Sequence, residues 1–407
     1  MASFLDLPAS NAALKEHYEG QQVLNLAYKK NTFLTMVPKL TDMTGKYYPI
    51  PVIFETSQGG SSAFATAQGN QTPMLIAEFS VPVRPDYHPV TIGNQAMKAA
   101  GNKVGSFIDL ATKFIDVGIQ SLANRQGSAM YRAGTGSRGG IGTIVAGVVT
   151  LTNPADVVQF GVNQTLQASS TDGGAPRAAQ GFVIGRNTMA GTITLSATAL
   201  GGAAGTPAGW VAADFLLAAG DSNATMNGLA AWLPTVAPGA GDNFNGVNRS
   251  SDSRLYGLAY PGSNQSAEEC LIDAAMLLAR EKGSPGHFLT NYGTYSSIVK
   301  ALGTRRLFND WKSEDGVIGF RGCDIEGPDG TIQMFADRNC QTATGWLLQM
   351  DTWKLLSLDA VPHIDTDGDG MQMLRVGNAD ACEARIKAYS NLACEAPGWN
   401  SQITFNS

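Results

Sequence analysis

Residues 48–83 read YPIPVIFETSQGGSSAFATAQGNQTPMLIAEFSVPV. Tyr48, Ile50, Val52 and Phe54 alternate strictly, a Gly59-Gly60-Ser61-Ser62 loop follows, and Leu75, Ala77, Phe79, Val81 and Val83 resume the same period of two. A period of two places side chains on one face of a strand, so the stretch predicts two strands joined by a flexible tip. Pro49, Pro51, Pro82 and Pro85 interrupt the hydrogen-bonding edges. A two-stranded ribbon of this kind is marginal in water unless its apolar face packs against something. The covering surface has to come from elsewhere in the fold or from another chain.

Downstream of the ribbon, Asn94 to Arg132 carries the strongest periodic signal. Met97, Ala100, Val104, Phe107, Ile108, Ala111, Phe114, Ile115, Ile119, Leu122 and Met130 return every three or four residues, with Lys98, Lys103, Asp109, Lys113, Asp116 and Arg125 between them. This predicts an amphipathic helix on the order of 55 Å long, a beam longer than a globular unit needs to cross its core. Upstream, residues 1–36 read as an arm with a helical piece around Ala12 to Tyr28. Residues 37–92 form the ribbon segment and 93–137 the beam.

Residues 138–236 are rich in Gly, Ala, Thr and Ser, with short candidate strands at Ile141–Val145, Val148–Leu151, Val157–Phe160, Phe182–Ile184, Thr192–Ser196 and Phe215–Ala218. Their glycine- and asparagine-marked ends predict a small inserted β-rich domain. Residues 237–407 form a mixed unit. After a linker at Pro238 to Asn245, Ser266-Ala267-Glu268-Glu269 is a capping box opening a helix that Gly283 closes, and a second helix is expected at Thr294–Leu302. Strands are expected at Ile332–Phe335, Trp346–Met350, Lys354–Leu358 and Ala384–Tyr389. The fold class is α+β.

The 407 residues include 47 glycines and only 15% charged side chains, with a net charge of -6. No run of Lys or Arg forms the electrostatic footprint of a nucleic-acid binder. The beginning Met-Ala-Ser-Phe-Leu-Asp-Leu-Pro does not read as a signal peptide, and no stretch is apolar for the length of a membrane span. Cys270, Cys323, Cys340, Cys382 and Cys394 are odd in number and without a Cys-x-x-Cys pair, which argues against a disulfide framework or zinc knuckle and for a reducing compartment.

Two strings imitate sites. Gly134-Thr135-Gly136-Ser137-Arg138-Gly139 has the letters of a dinucleotide loop but follows a helix and opens a β-region, the reverse of the context that chemistry needs. Asp365-Thr366-Asp367-Gly368-Asp369-Gly370 begins like a calcium loop, yet Val376 stands where a bidentate Glu is required. His17, His88, His287 and His363 are scattered without metal spacing. No Gly-x-Ser-x-Gly elbow or phosphate loop occurs. No catalytic, cofactor or metal site is expected, and the protein is read as no enzyme.

The order of parts (arm, long ribbon, beam helix, inserted β-domain, mixed unit) resembles the Hong Kong 97-like capsid fold of tailed bacteriophages. The strings Met226-Asn227-Gly228-Leu229-Ala230-Ala231-Trp232-Leu233-Pro234, Phe244-Asn245-Gly246-Val247-Asn248-Arg249-Ser250 and Ala396-Pro397-Gly398-Trp399-Asn400 are similar to segments of phage major capsid proteins that carry an insertion. The resemblance implies that the ribbon is the extended loop, the beam the spine helix of the peripheral domain, and the mixed unit the axial domain with returning peripheral strands. It implies a virion head protein, made and assembled in the host bacterial cytoplasm, that forms homo-pentamers and homo-hexamers of an icosahedral shell. Portal and a separate scaffolding protein are implied partners, with a decoration protein in some relatives and packaged DNA held without sequence-specific binding. Under this resemblance Tyr48, Ile50, Val52, Phe54, Phe79 and Val81 are the expected inter-subunit contacts. Lys39 and Lys46 are read as ordinary surface charges and not as isopeptide donors. Glycines 59, 60, 134, 136, 139 and 140 flank the stiff parts as expected hinges. Two rival readings stand beside it: an encapsulin-like shell around a protein cargo, and a β-rich enzyme or glycan-binding protein using some of the six tryptophans.

Overall fold

The computed structural model describes residues 31–41, 43–95, 104–262, 265–301, 308–313, 316–328, 330–359, 361–364 and 374–405. The helical piece expected within residues 12–28 and the acidic 365–370 loop lie outside them.

The alternating ribbon forms as the sequence demands. Tyr47–Glu55 pairs antiparallel with Leu75–Pro82, placing Tyr48 opposite Val81, Ile50 opposite Phe79 and Ile53 opposite Ile76. The register slips after Ile53, so Glu55 opposes Leu75. Beyond that slip a short helix, Phe64–Gly69, fills the tip. The neck is closed by Thr72 N–H to the Gln58 carbonyl at 3.1 Å. Gly59 is required there: its φ is +123°, and a Cβ would stand 2.4 Å from the Asn70 carbonyl oxygen.

The inner face of this ribbon is covered from elsewhere in the same chain. Ile50, Val52, Phe79 and Val81, expected to await another subunit, are buried by their own chain, and Tyr48 and Phe54 pack partly buried against the same core. The chain leaving the β-rich insertion returns beneath the ribbon. Phe79 meets Trp232 edge-on at 5.1 Å between ring centroids, and Ser80 N–H donates to the Asn245 carbonyl at 2.8 Å. This long-range approach has no local signature, so alternation alone could not reveal it.

The helix is described from Val104 to Ala129, 26 residues or about 39 Å. Its last turn is finished by the returning chain: Leu229 N–H donates to the Met130 carbonyl and Gly228 N–H to that of Arg132. These groups would otherwise be orphaned acceptors at a helix end. The helix lies on strands Arg84–Gly93 and Ala381–Cys394, which pair with each other in a six-stranded sheet. A seven-stranded sheet carries the helices Ala267–Arg280 and Tyr292–Ala301. The capping box on Ser266 and Glu269 forms as expected.

The glycine-rich block closes into a barrel of six strands: Phe215–Ala218, Ser137–Val145, Val148–Leu151, Thr192–Ser196, Pro176–Asn187 and Thr165–Ser169 in order around it. The strand expected at Val157–Phe160 is instead a 3-10 turn, Pro154–Gln159, which packs Val157 and Phe160 into the barrel core. Pro154 presets the first helical φ, and Asp156 N–H bonds back to Asn153, so local geometry overrides the apolar run. Thr165–Ser169, with only Leu166 and Ala168 facing inward, escaped the pattern reading.

Candidate functional site

The ribbon is braced at the far end of its first strand: the Arg254 guanidinium meets Glu55 Oε2 at 2.5 Å and Asp252 Oδ2 at 2.7 Å. Hydrogen bonds from Arg254 and Gln58 hold the Glu55 carboxyl below its usual range. An ion pair this exposed adds little energy but fixes a direction. On either side of it, Ile53 is 60% exposed, Phe64 80%, Met74 54%, Leu75 46% and Ile76 51%. Ile53 and Ile76 are cross-strand partners on the face opposite Ile50 and Val52, and Leu75 adjoins them. Single exposed apolar residues are ordinary on a protein surface, but Ile53 and Ile76 stand side by side across the ribbon.

The six sequence-predicted contact residues thus lie along the inner face, and the exposed group was not singled out in the sequence. A signal was available. In Val52-Ile53-Phe54 and Met74-Leu75-Ile76 the alternation fails and apolar residues run consecutively. Runs of that kind belong to strands covered on both faces.

Elsewhere the chemistry is structural. Gly134 and Gly136 adopt φ of +81° and +88°, but a Cβ on them would strike Asn227 Oδ1 at 2.4 Å and the Asp221 carbonyl at 2.3 Å. The glycine string is therefore a crowded crossing between helix and barrel, with its space already filled by protein. Cys270, Cys340 and Cys394 are buried free thiols, and burial pushes Cys394 up to about 12, far from thiolate reactivity. His88 and His287 are held below the usual imidazole range by burial. Among the described residues no three His, Cys, Asp or Glu side chains gather around a metal-sized space, and no helix is long and apolar enough to cross a membrane. Trp210 belongs to the barrel and is buried, its indole N–H donating to the Ala179 carbonyl at 3.2 Å. It offers no open platform for a sugar ring.

No protein-family model and no curated protein matches the sequence. Solved structures do. The cyanophage A-1(L) capsid asymmetric unit superposes with a TM-score of 0.57 at 15% identity, over 95% of this chain and 95% of that one. A chain of Mycobacterium phage Bobi aligns over 100% of both chains at TM-score 0.45 and 10% identity. The holo-SrpI encapsulin complex from Synechococcus elongatus PCC 7942 aligns over 99% of this chain and 96% of its own at TM-score 0.44 and 9% identity. The fold assignment rests on the first. Over 95% of its length this chain shares the α+β fold of that capsid chain, as the order of its parts led one to expect.

Proposed function

We propose that this chain is the major capsid protein of a tailed bacteriophage, assembling through pentamers and hexamers into the icosahedral shell that encloses phage DNA. The observation that carries the reading is the set of exposed apolar side chains on a braced ribbon, on a fold shared over nearly its whole length with a capsid chain. In this assignment residues 1–36 are the arm, 37–92 the extended loop, 93–137 the spine helix, 138–236 an inserted domain and 237–407 the axial domain with returning peripheral strands. Ile53, Leu75, Ile76, Met74 and Phe64 reach onto the adjacent subunit, while Tyr48, Ile50, Val52, Phe54, Phe79 and Val81 brace the loop from within. Each contact is modest, and closed symmetry repeats it until the shell is stable. Portal, a separate scaffolding protein and a decoration protein are the further partners of this reading. It places assembly in the host cytoplasm and the finished protein in the virion. A net charge of -6 without basic runs suits a wall that must not hold its packaged DNA.

Negative-stain microscopy of the purified full chain tests the proposal. Rings of five or six subunits, or closed shells, are the expected result. A chain that elutes as a monomer at every concentration, with no particles, overturns it. Nucleic acid inside particles recovered from infected cells separates a genome container from a shell around protein cargo.

A further inference from the structure

The barrel meets the rest of the molecule in an unusual way. Its apolar core consists only of residues from Ile141 to Leu216, and the core beneath the ribbon includes none of them. The chain enters through residues 130–136 and leaves through 219–228, and these crossings run side by side as a stem. Asn223 N–H donates to the Thr135 carbonyl at 3.0 Å, and Gly134 and Gly136 permit an approach that no side chain would allow.

Around the stem the described contacts are ionic or polar. Asp221 on the outgoing crossing accepts from Arg125 of the long helix at 2.6 Å and from Arg138 of the first barrel strand at 3.0 Å. Arg125 also meets Asp86 on the neighbouring body strand at 2.6 Å. On the same side Arg84 donates to the Asn223 carbonyl at 3.2 Å; on the other, Arg132 meets Asp156 at 3.2 Å and Arg338 donates to the Val158 carbonyl at 3.3 Å. Cavities of about 360 Å³ and 620 Å³ flank this joint, one lined by Arg84, Asp86, Arg125 and Asp221, the other by Thr135, Asp156, Thr342 and Gln402. A joint with open space on both sides and no shared apolar core can change angle without exposing hydrophobic surface.

We propose that the barrel is hinged on its stem, and that Asp221, gripped by Arg125 from the body and Arg138 from the barrel, is the latch that fixes its angle. Releasing the latch lets the barrel swing while barrel and body remain folded. The inference holds whether or not the chain builds a shell. Within a shell, it would let one sequence present the barrel at different angles in different surroundings.

The test uses the full chain with azidophenylalanine encoded at Val145 on the barrel and Tyr292 on the body, both exposed, each joined by cycloaddition to an alkyne nitroxide. Distance distributions are measured by pulsed electron resonance, and hydrogen exchange is followed on the same variants. Asp221→Asn is expected to widen the distribution to roughly twice the wild-type width or more, with barrel strands Val148–Leu151 and Thr192–Ser196 keeping their protection. Arg138→Gln is expected to act in the same direction, and decides the matter if Asp221→Asn does not fold. An unchanged width in the folded variants overturns the hinge. Barrel strands that lose protection in step also overturn it, because Asp221 would then belong to the barrel's own fold.

Discussion

Replacing Ile53 and Ile76 together by serine removes apolar surface that the folded subunit does not use. The two side chains are 60% and 51% exposed, so about half of each remains available to another molecule. Burying a whole isoleucine side chain stabilises by about 1.5–3 kcal/mol, so the uncovered halves are together worth about 2 kcal/mol at a contact. At about 1.4 kcal/mol per factor of ten, the subunit concentration at which assembly begins should rise roughly thirtyfold. Light scattering across a dilution series reads this threshold directly. Thermal unfolding of the unassembled subunit should move by no more than a degree or two, since ordinary surface changes stay within about 0.5 kcal/mol. An unchanged threshold would refute the assignment of this patch. A threshold that rises together with a collapse in melting temperature would show that the residues serve the subunit's own core.

Phe79→Ala should do the opposite: Phe79 is fully buried against Trp232 and Phe244, so urea unfolding should show a loss of about 3–5 kcal/mol, and a loss below about 1 kcal/mol would argue that the ribbon base is not packed as described. Gly228→Ala places a Cβ 2.3 Å from the Met130 carbonyl, so the crossing must shift and stability should fall by about 1–3 kcal/mol in the same assay; wild-type stability would mean the helix end is not closed this way. Asp86 titrates anomalously: burial pushes its carboxyl up to about 6, and Asp221, sharing the Arg125 guanidinium, adds to what Arg125 opposes. The folded state therefore holds a proton that the unfolded chain has already lost between pH ~4 and ~6, so this group's contribution to stability falls as pH rises through that window, by about 3 kcal/mol in total. Relative to Asp86→Asn, the wild type should lose ground from pH 4 to 7, and a slope of the opposite sign would show that the Arg125 pair outweighs burial.

Local signals in the sequence were read well where local physics decides. The period of two gave the ribbon, the period near 3.6 gave the long helix, and Ser266 with Glu269 gave the start of Ala267–Arg280. What covers the ribbon depends on a segment more than 150 positions away, and no local pattern encodes that meeting. The strings that carried the family resemblance turn out to be long-range ties. Asn400 is buried, its side-chain oxygen accepting from Gln349 N–H at 2.9 Å and the Trp353 indole at 2.8 Å. Arg249 clasps Asp242 at 2.8 Å, donates to the Ala231 carbonyl at 2.7 Å and lies over the Phe244 ring. Removing either would leave buried donors or acceptors without partners, which costs more than the bond itself contributes. The barrel was legible as short strands, but Pro154 converted one of them into a turn and an unremarkable Thr165–Ser169 supplied the strand needed for closure.

The edges of the ribbon are also poor places for another chain to pair. A two-stranded sheet has two open edges, and each is a template for adding further strands without limit. Here Pro49 and Pro51 stand exposed on one strand and lack the N–H that an added strand would need, while on the other strand Ser80 N–H is already committed to Asn245. The edges are thus poor recruiters, while Ile53 and Ile76 stand exposed on the outer face. Face-to-face docking fixes both angle and register through side-chain shape, whereas edge pairing fixes neither strongly. Replacing Pro49 and Pro51 by threonine should therefore leave the melting temperature of the subunit close to its starting value but divert concentrated protein into irregular, thioflavin-binding aggregates. If the double variant stays as soluble as the wild type, the prolines have some other role and the faces alone do not explain the selectivity.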